Sequence, residues 1–378
     1  MRQSGPPLVV TEPSQLQELA GRLAREKQVG VDTESNSLHA YSERVCLVQF
    51  SSQSDDYLID PLVLEDLSPL GPIFGDVQIE KIFHAAEYDL IVLQRDYGFP
   101  FVNLFDTMIA ARVLGRKKVG LGNLLEEEFG IQLEKKFQRA DWGKRPLPQA
   151  LLEYARMDTR HLIELRSRLK AELEERGRWE LALEDFQRLP SLVSTGEPVE
   201  RDVWSIKGAR DLDPRQAAVL QELAIYREAK AAEADLPLFK IMGDSTLTDI
   251  AKAQPQRPKD LESIPGMTPG QVQRHGKALL DAVQRGLNSP PLRRPRRAAY
   301  DEAFVERLDA LRAWRKAVAK EMDVESDVVL PRDLMHDVAR ANPKSVGELE
   351  PLLVSVPWRM KNYGKQILGA LKKTKVDK

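Results

Sequence analysis

Two carboxylates, Asp32 and Glu34, stand one residue apart in QVGVDTESNSL, just after a short apolar run. On a strand such spacing puts both side chains on one face. Like charges a few ångströms apart repel unless a cation lies between them. A further acid, Asp89, is one of the few polar residues at the apolar helix start in FHAAEYDLIVL. In LLEYARMDTRHLIEL, Tyr154 and Asp158 are four apart, so a phenol and a carboxylate share one helix face. Each signal has an ordinary alternative: a solvated strand end, an acid favoured by the helix dipole, a surface tyrosine–aspartate pair. Together, hard oxygen donors from separate segments suit Mg²⁺ or Mn²⁺. Two such ions about 3.5–4 Å apart can clamp a phosphodiester, one activating the attacking water and the other stabilising the departing oxygen. Tyr154 would orient or help deprotonate that water.

These side chains must be positioned by a mixed sheet covered by helices. VGVDTE, RVCLVQFSS and DDYLID read as strands, being dense in Val, Ile, Leu and Tyr between polar breaks. EKIFHAAEYDLIVLQRDYG reads as a strand feeding a helix that stops at Gly98, and VNLFDTMIAARVLG repeats that plan to Gly115. QLQELAGRLAREK has helical spacing, with Ser14 as its candidate N-cap. From Pro148 the pattern predicts one long helix.

The second half loses the strand signal and carries a repeat. LQELAIYREAKA from Leu220 aligns with LDALRAWRKAVA from Leu308, 88 positions later, and at the same offset Pro255 meets Pro343 and Gly276-Lys277 meets Gly364-Lys365. Two copies of a small helical domain follow. The predicted division is a nuclease-like domain over 1–190, a linker over 191–211, helical domains over 212–288 and 301–378, and a Pro/Arg-rich linker over 289–300 containing Arg293, Arg294, Arg296 and Arg297.

The segments VDTE, FHAAEYDL and DWGKRPLPQALLEYARMD, with the repeat behind them, resemble ribonuclease D, in the tyrosine branch of the DEDD exonuclease superfamily. The sister branch has histidine five residues before its last aspartate, where this chain has Glu153. The resemblance implies a ribonuclease-H-like α/β catalytic domain followed by two all-α HRDC-like bundles. It assigns Asp32, Glu34, Asp89 and Asp158 to two divalent ions, with Tyr154 beside them. It also implies 3′-to-5′ release of nucleoside monophosphates from RNA with a free 3′ end, tRNA precursors in particular, and places His84 near the scissile end.

Supporting residues surround this set. Gln49, polar within a strand, faces the site on this reading, and Asp106 N-caps the helix of Thr107. EKKFQRADWGKRPL mixes cations with aromatic rings, so Trp142, Lys144 and Arg145 are candidate nucleic-acid contacts, with a solvated loop and one packed tryptophan as the alternative. The stretch from Arg359 carries seven basic residues against one acid, which nominates Arg359, Lys361 and Lys365 for the same role.

The chain of 378 residues has 56 basic and 58 acidic side chains, so no single large basic field marks the molecule. One cysteine, Cys46, precludes an internal disulfide and fits a reducing cytosol. A secretory core and a membrane-length apolar run are not found in the sequence. Without a G-x-x-x-x-G-K-[ST] motif there is no expectation of a nucleotide cofactor. Two rival readings stay open on the sequence: a proofreading-type DNA 3′-to-5′ exonuclease, and a non-catalytic RNA-binding scaffold.

Overall fold

The computed structural model describes residues 5–134, 136–192, 202–294 and 301–372. Cα proximity divides the chain into two units: Met1–Ser35 with Val45–Thr195 and Tyr300–Lys378, and Asn36–Arg44 with Gly196–Ala299.

The first unit is built on six strands: β1 (Leu8–Val10), β2 (Gln28–Ser35), β3 (Val45–Ser51), β4 (Asp56–Ile59), β5 (Glu80–Phe83) and β6 (Leu104–Asp106). Their spatial order is β1-β4-β3-β2-β5-β6. β3 runs antiparallel to β2 and β4, and the remaining pairs are parallel. The helices are α1 (Pro13–Leu23), α2 (Gly71–Gly75), α3 (Glu87–Tyr97), α4 (Thr107–Val113), α5 (Leu121–Phe129), α6 (Gln149–Arg160), α7 (Leu162–Glu175) and α8 (Trp179–Leu192).

Alternation along β2 splits the sheet's two faces. Val29 and Val31 enter a core with Leu16, Leu19 and Phe74, while α6 and α7 cover the other face. Each buried leucine in such layers contributes about 1.5–3 kcal/mol. Two sequence expectations are corrected. Helix α1 begins at Pro13, capped at Glu12 rather than Ser14, because proline's fixed φ suits the first helical position and the Gln15 side chain accepts from the Thr11 and Glu12 amides. The long helix from Pro148 is two helices, broken at His161 (φ −106°, ψ 1°).

The helical bundle of the C-terminal segment belongs to this first unit. Its helices are Glu302–Met322, Ser326–Val329, Arg332–Ala341, Val346–Leu349 and Pro357–Leu371. Met322, Val324, Val328 and Trp358 pack into the cluster of Phe105, Leu165 and Phe186. Gly115, at φ +83°, lets the bundle approach, since a Cβ there would lie 2.3 Å from the Asp323 carbonyl oxygen. The bundle is fastened by Arg359, 0 % exposed, whose guanidinium reaches Glu184 Oε2 at 3.0 Å and Asp185 Oδ2 at 2.8 Å. Arg188 adds a bond to Asp333, and Arg112 adds bonds to Asp327 and Glu325.

The second unit holds the other bundle, with helices Pro214–Ala234, Leu238–Ile241, Asp244–Ala253, Pro258–Leu261 and Pro269–Asn288. The repeat extends to the backbone: the first four of these begin and end 88 residues before their counterparts. Asp235 and Gln254 cap their helices in the left-handed conformation, as Asp323 and Asn342 do. The expected 191–211 linker is partly a core element here, because Val203, Ile206 and Ala209 are buried among Leu220, Leu247 and Leu279. Residues 193–201 of that linker, and Arg296 and Arg297 of the second one, lie outside the described residues.

Candidate active site

The α6–α7 break sits over β2 at Gly30. A Cβ at this position would lie 2.9 Å from the Thr159 carbonyl oxygen and 3.3 Å from Leu162 Cβ. Glycine inside a strand permits such close backbone approach. Thr159 is held from the adjacent strand as well, its Oγ1 lying 2.7 Å from Ser51 Oγ, and Ser51 is the register partner of Gly30. Leu151, Ala155 and Thr159 form the buried stripe of α6. Tyr154 and Asp158, each one residue before a member of that stripe, come to the edge of the contact. Carboxylate oxygens of Asp32, Glu34 and Asp158 consequently lie within 4.8 Å of one another, all three residues half-buried.

Asp89, at the start of α3, is buried next to this trio, and its Oδ1 accepts from Thr33 Oγ1 at 2.5 Å. Asp106 caps α4 through the amides of Met108 and Ile109, and also accepts from Ala86 N at 2.7 Å. It thereby ties the β5–α3 turn to β6. His84 in that turn has Nδ1 2.9 Å from Thr107 Oγ1. The Thr107 hydroxyl donates to Phe83 O at 3.0 Å, so its oxygen accepts from His84 Nδ1–H and His84 Nε2 is left as an acceptor. A cavity of about 390 Å³ is lined by Asp32, His84, Asn123, Gln138, Tyr154 and Asp158. A neighbouring cavity of about 320 Å³ shares Tyr154 and Asp158 and adds Phe137 and Met157.

Crowded carboxylates in a partly dry site bind protons more tightly than free ones. Burial, then the charge of Asp158, pushes Asp32 well above the usual carboxylate range. Glu34 is raised by burial and by Asp32, Asp158 and Asp89. Burial, then Asp32, raises Asp89, and burial with the Asp89 charge raises Asp158 to about 7. Tyr154 is pushed up by burial and by Asp158, Glu34 and Asp32, so its phenol stays protonated at neutral pH. Burial depresses His84, against an opposing pull from Asp106, and keeps it neutral. An all-oxygen set of mutually repelling carboxylates fits a hard divalent cation, whose charge removes the repulsion.

The candidate nucleic-acid contacts divide. His84 lines the larger cavity, and Lys144, Lys361 and Lys365 are exposed. Arg359 is corrected from a surface contact to the buried fastener described above. Trp142 is 2 % exposed and packs beside Tyr154, with ring centroids 6.2 Å apart, so no base can stack on it. The Arg145 guanidinium is spent on Asp60, at 2.5 and 2.7 Å, and on the Cys46 carbonyl at 2.7 Å. Lys135 of the same loop lies outside the described residues. The roles of Gly30, Thr33 and Thr107 escaped the motif reading. Of these, only Gly30 carried a signal, as a lone glycine within a strand pattern.

Comparison with known proteins agrees with this geometry. Residues 7–174 match the 3′-5′ exonuclease family model, and residues 216–283 and 305–371 each match the HRDC domain. The chain is 30 % identical to ribonuclease D of Nitrobacter hamburgensis over 96 % of this chain and 94 % of the relative. It is 29 % identical to ribonuclease D of Pseudomonas paraeruginosa, covering 91 % and 92 %. The crystal structure of Escherichia coli RNase D, an exoribonuclease involved in structured RNA processing, superposes with a TM-score of 0.72 at 26 % identity over 98 % of this chain and 99 % of that one. A Bifidobacterium adolescentis structure with 22 % identity and a TM-score of 0.82, covering 98 % of each chain, shares the fold. The chain belongs to the ribonuclease D family and is a metal-dependent 3′-to-5′ exoribonuclease.

Proposed function

We propose that the chain shortens tRNA precursors and similar RNAs from the 3′ end, releasing nucleoside monophosphates, with two divalent ions held by Asp32, Glu34, Asp89 and Asp158. The observation that carries this reading is the convergence of the Asp32, Glu34 and Asp158 carboxylates within 4.8 Å of one another, with Asp32 and Asp158 on the cavity that Tyr154 also lines. When bound, the ions lower the pKa of an attacking water and stabilise charge on the departing oxygen. Asp32, Glu34 and Asp158 would hold them, with Asp89, whose Oδ1 accepts from Thr33 Oγ1, as the fourth carboxylate. Tyr154 keeps its proton, and its hydroxyl orients the water. His84 Nε2 accepts a hydroxyl of the terminal ribose, while Lys144, Lys361 and Lys365 meet phosphates upstream. Cys46, buried and the single cysteine of the chain, suits the cytosol as its compartment.

The test is incubation with a 3′-extended tRNA labelled at its 5′ end, with Mg²⁺ or Mn²⁺ and with chelator, beside a matched DNA strand. Stepwise shortening of the RNA, abolished by chelator and by Asp32→Ala, is expected. Equal or faster DNA digestion would move the assignment to a DNA exonuclease, and RNA binding with no digestion would leave a scaffold.

A further inference from the structure

Gln49 lies in the middle of β3 and is 0 % exposed. Its register partners are Asp32 on β2 and Leu58 on β4. Directly opposed residues of antiparallel strands share a face, with Cβ atoms about 4.5–5.5 Å apart. The Gln49 side chain therefore stands beside that of Asp32. Helix α6 covers this face: two residues along, Ser51 meets Thr159 at 2.7 Å. On the other flank Leu58 packs with Ala155 and Leu47 in an apolar cluster. The side chain thus stands between Leu58 of this apolar cluster and Asp32. Among the described residues, neither Gln49 Nε2 nor Oε1 has a hydrogen-bond partner.

A buried amide left unpaired on both ends is costly, and leucine would fill this layer without that cost. Asp32, its register partner on β2, supplies a carboxylate acceptor beside the unmet donor. We propose that Gln49 is a positioning residue of the metal centre, donating Nε2–H to the Asp32 carboxylate when that carboxylate ligates a cation. This rests on the reading of Asp32, Glu34 and Asp158 as metal ligands. A ligating carboxylate keeps lone pairs beyond those given to the ion. A hydrogen bond to one of them fixes how the group is turned, and a neutral donor does so without competing with the ion's charge.

The test is calorimetric Mn²⁺ titration of the full chain carrying Gln49→Leu, Gln49→Met or Asp32→Asn, with thermal melts in chelator. Both Gln49 variants keep the side-chain bulk and remove the amide. They are expected to melt at or above the wild-type temperature in chelator and to bind Mn²⁺ about 10–100-fold more weakly. Their kcat should fall while KM for an RNA oligonucleotide stays within about twofold. If Asp32→Asn binds Mn²⁺ like wild type, the ligand reading itself fails and takes this inference with it. If Asp32→Asn loses the ion and both Gln49 variants bind it with wild-type affinity, the role of Gln49 alone is overturned. A lowered melting temperature in chelator for both variants also overturns it, because the amide would then be holding the fold.

Discussion

Replacing Asp158 by Asn should abolish catalysis and stabilise the metal-free protein, two effects of opposite sign from one carboxylate. The folded-state pKa of Asp158 is about 7, against an ordinary value of 3.8. At about 1.36 kcal/mol per pKa unit, ionising it in the folded chain costs at most about 4 kcal/mol. With the Asp89 charge beside it and partial solvation, the penalty is about 1–4 kcal/mol. A pKa raised by folding means that the native state binds the proton more tightly. The metal-free wild type is therefore free of the penalty below about pH 4 and acquires it as pH rises through about 7. The neutral amide of the Asp158→Asn variant would carry no such penalty. The difference in melting temperature between variant and wild type, measured in chelator, should be near zero in acid and grow to several degrees above pH 7, at about 2–4 °C per kcal/mol for a chain of this kind. Adding Mn²⁺ should raise the wild-type melting temperature, more at alkaline than at acid pH, and leave the variant nearly unmoved. Equal or lower stability of the variant in alkaline chelator, together with an undiminished Mn²⁺ response, would refute the picture of a repulsion relieved by metal.

Other outcomes follow from the same geometry. Gly30→Ala forces a Cβ against the Thr159 carbonyl at the α6–α7 break; a stability loss of about 1–3 kcal/mol should come with a larger fall in kcat, read from melts and single-turnover assays. Tyr154→Phe removes the hydroxyl from the cavity and should lower kcat by about 10²-fold or more, with RNA affinity by fluorescence anisotropy unchanged. Arg359→Ala leaves Glu184 and Asp185 without their buried cation and should cost about 3–5 kcal/mol in denaturant titration. Lys361→Ala with Lys365→Ala should instead leave stability intact and flatten the salt dependence of RNA binding.

Spacing nominates two pairs of groups, and the family resemblance joins them with Asp89 into one set. Asp32 and Glu34 share a face because a strand has period two, and Tyr154 and Asp158 because a helix has period 3.6. The repeat was legible for a similar reason, since matching helix caps and prolines impose the same turns twice. Arg359 reads as a surface contact because a basic side chain in a polar segment looks solvated when its partners are unknown, and for Trp142 the packed alternative, rather than base stacking, is the one found. Glu184 lies 175 residues from Arg359 in the chain, and Trp142 is covered by Leu47, Leu58 and Leu151 from three other elements. Gly30 is visible as an oddity within a strand, yet what it makes room for depends on where α6 turns into α7. Local order decides which groups face the same way along one element. Which elements meet, and so which carboxylates crowd together and which arginine is locked inside, is fixed by burial between distant segments, and that depends on the packed whole.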